Sequence, residues 1–403
     1  MKRTYMGMSC AIFALALSAC GTNHSANPTG SETSTPTPTP SISASQPTIR
    51  TISGMPAVID PSNIYSADAP NMLSPAVAND LERVYVPNTL SNTVSVIDPK
   101  TYKVIETVKV GRQPQHVVPS WDLRTLWVNN DLGNTLTPID PATGKFGTPV
   151  KVHDPYNLYF TPNGKYAVVM ASRDRQIVFR DPHTMAIKKT VPVPCVGVNH
   201  ADWTSDGSTF VVSCEFTGSL LLVDTVHMKV LAQAKLPRDH MDMKQMHPTP
   251  MPQDVKISPD GSTYYIADMM SNGLWIMSSD PSKFGKFTYL ATGKGAHGLY
   301  VTRDGKNLLI SNREEGSISV LRFSDNKLIH KWKIPGGGSP DMGNLSADGK
   351  VFWVSGRYNS VVYAISTVDG KLLAKIKVGG GPHGLTVWPQ PGRYSLGHTG
   401  ILR

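Results

Sequence analysis

Asp254 to Ala267 read DVKISPDGSTYYIA: an apolar run, a turn at Asp260-Gly261 and a second apolar run. Asp-Gly tolerates the positive φ of a tight connection, so the stretch predicts a β-hairpin. The layout recurs in NLYFTPNGKYAVVM from Asn157, GLYVTRDGKNLLIS from Gly298 and MGNLSADGKVFWVS from Met342. Asn163-Gly164, Asp206-Gly207, Asp304-Gly305 and Asp348-Gly349 take the turn. A second form alternates with it, a strand ending in Asp and then a turn and another strand, as in TVSVIDPKTYKVIETVKV from Thr93. Ile139-Asp140-Pro141, Arg180-Asp181-Pro182 and Val223-Asp224-Thr225 mark further copies.

The residue six before each turn Asp or Asn is His116, Asn157, His200, Asp254, Gly298 and Met342, at spacings of 41, 43, 54, 44 and 44. Four strands at this period, without any 3.6-residue pattern, predict an all-β fold, a single β-propeller over residues 51–403. Inner hairpins are read at 73–88, 115–130, 156–171, 199–214, 253–268, 297–312, 341–356 and 383–397, which makes eight. Ala57 to Tyr65 matches the outer pattern without an inner partner, and the last inner hairpin has no outer one. The expectation is eight four-stranded blades, closed by pairing these N-terminal and C-terminal halves. If Met55 to Asp68 is only a surface strand, the count is seven.

The first 50 residues carry other signals. Lys2 and Arg3 precede an apolar run from Met8 to Leu17, followed by Leu17-Ser18-Ala19-Cys20. The run is too short to span a membrane and has the layout of a secretory signal over 1–19. Residues 20–50, rich in Ser, Thr and Pro, cannot form a core and are expected to act as a tether. The net charge of +9 is too diffuse to argue nucleic acid, and export argues against it.

Arg83-Val84-Tyr85-Val86-Pro87-Asn88, followed by Asn92 to Asp98, resembles the Tyr-Val-Thr-Asn repeat propeller family, with Pro87 where that family has Thr. The family is similar in fold to the haem-binding propeller of dissimilatory nitrite reductase, which is eight-bladed. The N-terminal signal resembles that of bacterial lipoproteins, which implies that Cys20 receives the lipid. An extracytoplasmic monomer anchored to a bacterial membrane is therefore expected. Such folds host many functions, so function must be argued from the site.

Chemistry is expected where the inner strands begin. Their starts supply His116, His200, His297 and His383, with Asp254 and Asp341, on two adjacent registers. Arg313, Arg357 and His398 are read at second-strand ends around the same funnel. Gathered imidazoles suit a transition metal or an anionic ligand; the alternative is a set of hydrogen-bonded spacers between blades. The 54-residue spacing contains an insert with His240, Met241, Met243, Met246 and His247, a donor set suited to copper, or else a lid or partner contact. Cys195 and Cys214 are read either as a disulfide of an oxidising compartment or as two buried thiols. No Cys-x-x-Cys-His for covalent haem occurs.

Three classes of function follow. The first is a surface protein binding a metal, small ligand or protein partner on the funnel face. The second is a propeller enzyme, an oxidoreductase or lactonase, for which no nucleophile–base pair of defined spacing is found. The third is a structural or adhesive module.

Overall fold

The computed structural model describes residues 48–241, 249–398 and 400–403. Cys20, with the anchor placed on it, and Met243, Met246 and His247 of the insert lie outside them. The described residues form seven four-stranded antiparallel sheets. Six are built from consecutive strands, with inner members Pro114–Pro119, Asn157–Phe160, Val198–Trp203, Pro252–Ile257, Ala296–Val301 and Pro340–Leu345 (blades 2 to 7). Blade 1 is composite. Thr386–Trp388 is its inner strand and pairs with Arg83–Asn88, which leads to Thr93–Asp98 and Lys103–Lys109.

Seven blades thus replace the eight expected from the repeats. Residues 73–88 and 383–397 are not two inner hairpins; each gives one strand to the same blade, with Tyr85 opposite Thr386 and Val84 opposite Val387. The expected outer half-blade from Ala57 to Tyr65 contains no strand, and a 3₁₀ turn follows at Ser66–Asp68. Pro56, Pro61 and Pro70 deny the segment 52–71 the regular N–H donors a ladder needs. Its backbone bonds instead to turns of the inner hairpins: Ile52 N donates to Asp206 O (3.0 Å), Ile64 N to Pro259 O (2.8 Å) and Asn71 N to Ala347 O (2.9 Å). A buried ion pair between Asp68 and Arg303 fastens it there.

The turns form as their residues dictate. Asp260 accepts from the Ser262 N–H and the Ser258 hydroxyl, while Gly261 takes φ +70°. Within a blade, inner and middle strands are buried on both faces, as in Thr209–Cys214, whereas the outer strand Lys229–Lys235 alternates. The core lies between neighbouring blades: Val168, Met170 and Phe179 of blade 3 meet Val212 and Leu221 of blade 4. Each such side chain contributes about 1.5–3 kcal/mol on burial. Cys195 and Cys214 are joined in a disulfide that ties the entry loop of blade 4 to its second strand.

After Trp388 the chain returns across the face of the inner-hairpin turns. Ser395 N donates to Trp121 O, His398 N to Leu158 O, and Arg403 pairs with Asp202 at 3.1 Å. Residues 389–403 thereby bring His398 to the axis of the propeller.

Candidate functional site

At the start of five inner strands the ladder breaks. Pairing jumps from Pro114 to Val117, Val198 to Ala201, Pro252 to Val255, Ala296 to Leu299 and Pro340 to Gly343. These β-bulges release Gln115-His116, Asn199-His200, Gln253-Asp254, His297-Gly298 and Asp341-Met342 from strict alternation. Residues on two adjacent registers can therefore share the axial space.

The four strand-start histidines do meet. Ring centroids lie 4.8 Å apart for His116–His383, 6.0 Å for His116–His200, 6.4 Å for His200–His297 and 6.2 Å for His297–His383. His398 completes a cluster of five, 4.6 Å from His200 and 4.9 Å from His116. It arrives from the returning C-terminal segment and not from a second-strand end as the repeat pattern implied. All five imidazoles are buried. Gly384 makes room: a Cβ there would lie 2.1 Å from His116 Cδ2.

Backbone carbonyls set two of the tautomers. His116 Nδ1 lies 3.0 Å from Tyr156 O, and His383 Nδ1 lies 3.1 Å from Gln115 O. A carbonyl only accepts, so each Nδ1 carries the proton and each Nε2 presents its lone pair. His116 Nε2 is buried and has no hydrogen-bond partner among the described residues. His200 Nδ1 and His398 Nε2 lie 3.2 Å apart, and Asn157 Nδ2 approaches both rings.

Charge divides the cluster into two ends. Ligand atoms of His200, Asp254 and His398 lie within 4.8 Å of one another, as do those of His297, Asp341 and His383. At the first end, Asp254 accepts backbone N–H bonds from Val255 and Leu299. At the second, Asp341 faces His297 (3.1 Å), Arg313 (3.2 Å), His383 (3.6 Å) and Arg357 (3.7 Å). Burial pushes the His116 imidazole down to about 4, against the Tyr156 carbonyl, which favours its charged form. Burial likewise holds His200, His297, His383 and His398 well below the ordinary imidazole value, with neighbouring positive charge adding to it. Burial raises Asp254 to about 6. The two triads offer imidazole nitrogens and carboxylate oxygens, donor types that could hold a transition-metal ion.

Of the insert's candidate donors, the described His240 and Met241 lie apart from this cluster. His240 stacks on Tyr289, with ring centroids 4.0 Å apart, and neighbours Trp275, on the outer strands of blade 5. Met241 is buried beside it in sequence. The aromatic surface of blade 5 gives the imidazole a better partner than the funnel. Among the remaining rim charges, Arg173 pairs with Asp154 and Asp131, and Glu215 accepts from Asn199. Met342 stands at a strand start expected to face the funnel and shares the register of His116 and His200, but it was not among the candidate ligands. Its Sδ lies 3.1 Å from His297 Nδ1.

Solved structures resemble the chain in fold. Hydrazine synthase from Kuenenia stuttgartiensis aligns with a TM-score of 0.55 at 18% identity, covering 66% of this chain and 87% of that one. A functionally unknown protein from Desulfotomaculum acetoxidans aligns at 0.62 and 14% identity, covering 75% and 98%. A 6-phosphogluconolactonase candidate from Bacteroides uniformis aligns at 0.58 and 17%, covering 75% and 98%. No curated protein matches the chain in sequence. Residues 47–391 match the YNCE-like beta-propeller model, and the chain belongs to that family.

Proposed function

We propose that this chain is a bacterial envelope lipoprotein whose propeller holds a transition-metal ion among the imidazoles on its axis. The observation that carries the reading is the buried Nε2 of His116. Its tautomer is set by Tyr156 O, its ring packs against those of His200, His383 and His398, and it has no hydrogen-bond partner among the described residues. Leaving such a group unpaired costs about 1–3 kcal/mol, which a metal bond would offset. The depressed imidazoles support it further, because only the neutral ring binds metal. The anchor reading rests on Leu17-Ser18-Ala19-Cys20.

The test is metal analysis of the full chain from its native envelope, followed by titration of the metal-free protein with zinc and cobalt. At least one equivalent of tightly held metal is expected, together with a loss of affinity of about tenfold or more in His116→Ala. A folded protein that carries no metal and takes up neither ion would overturn the reading. Separately, Cys20→Ser is expected to move the chain from the membrane to the soluble fraction; a variant that stays membrane-bound would refute the anchor.

A further inference from the structure

We propose that the two ends of the cluster differ in metal class, and that His297, His383 and Met342 form a site for cuprous copper. This rests on the metal-binding reading and adds to it the identity of the ion at one end.

Met342 is an odd residue for its position. The register that carries His116, Asn157, His200 and Asp254 in blades 2 to 5 carries Met342 in blade 7. Met342 is fully buried, yet its sulfur lies among polar groups: 3.1 Å from His297 Nδ1 and 3.8 Å from the Tyr300 hydroxyl. A thioether chosen for packing belongs against apolar carbon. Beside imidazoles it is a soft, neutral donor, the type that favours the cuprous ion. His383 offers an Nε2 lone pair at this end, since its Nδ1 is held by Gln115 O. His297 Nδ1 lies 3.1 Å from both the sulfur and Asp341 Oδ1, so the ring holds its proton there and must pass it to Nε2 before Nδ1 can join the sulfur on an ion.

Charge points the same way. The Asp341 carboxylate is already faced by Arg313 and Arg357. A divalent ion entering here would meet two guanidinium charges with no anion left unmatched, whereas a monovalent ion held by neutral donors meets a smaller repulsion. Asp254, at the other end, is bonded by backbone N–H groups, and with His200 and His398 it makes a nitrogen and oxygen set suited to zinc.

The full chain is to be titrated anaerobically with copper under ascorbate, against a chromophoric cuprous chelator, beside Met342→Leu and His200→Ala. Leucine conserves the volume of methionine, and a thermal melt verifies folding. Met342→Leu should weaken cuprous binding about tenfold or more while leaving zinc within about twofold. X-ray absorption of the copper-loaded wild type should show a sulfur neighbour that the variant lacks. His200→Ala should weaken zinc and spare cuprous copper. Equal cuprous affinity in wild type and Met342→Leu, or a copper shell without sulfur, would overturn the assignment. A chain giving either result while still binding zinc loses the cuprous site alone; a chain binding neither metal loses the cluster reading too.

Discussion

Gly384 is the residue on which the cluster turns most directly. A Cβ there would fall 2.1 Å from His116 Cδ2, so alanine must displace the imidazole or the strand. Overpacking of this kind costs about 1–3 kcal/mol. Gly384→Ala is therefore expected to lower the unfolding free energy by that amount and to weaken metal binding, because it disturbs a buried Nε2 that has no partner among the described residues. Urea denaturation and zinc titration of the variant check both effects; unchanged zinc affinity would show that His116 is not a ligand. The histidines themselves were visible in the sequence because they recur at strand starts. His398 was visible as a residue but not in its true place, since no repeat predicts the path of residues 389–403. Met342 was visible as part of a funnel-facing strand start, but nothing in the sequence sets it apart as a donor until its neighbours, His297 and the Tyr300 hydroxyl, are known.

At the scale of elements, the hairpins were legible because the chemistry that makes them is local. Asp or Asn before Gly sets the turn, and the flanking apolar runs set the strands. Blade number was less legible because it depends on which strands pair across the whole chain. Arg83–Asn88 and Thr386–Trp388 each look like part of an inner hairpin, and only their mutual register shows them to be two strands of one. The bulges were also hidden. Nothing in Gln115-His116 or Asp341-Met342 announces that both members leave the ladder, yet this is what joins the two histidine registers that alternation would have kept apart.

For the whole molecule, the buried imidazoles make stability depend on acidity. The folded state holds His116 near a pKa of about 4, below the ordinary 6.5, so the unfolded chain binds its proton first as pH falls. Stability from this group is full above 6.5 and is lost between 6.5 and 4, amounting to about 2 kcal/mol by pH 5. Asp254, raised to about 6, and Asp68, raised to about 7, act in the opposite sense, because the folded state takes up their protons first. Asp131, raised to about 7, and Asp80 and Glu215, also raised, act likewise, but the five depressed imidazoles outweigh these carboxyls, so the metal-free protein should lose stability from pH 7 to pH 5, with a shallower slope in His116→Gln. Urea midpoints at the two pH values measure it, and equal slopes would mean that His116 is not held neutral by the fold.

The strand that closes the ring, Thr386–Trp388, lies between His383 and His398 in the chain. Ring and cluster are therefore finished by the same short stretch. A ribosome that has translated six complete blades has still produced neither the closed toroid nor the full set of imidazoles. A nascent chain interrupted before that stretch exposes the unpaired flank of Arg83–Asn88 and lacks two of the five imidazoles. Proteases that recognise open sheet edges would thus remove the same molecules that are unable to hold a metal, so that proofreading of the fold doubles as proofreading of the site.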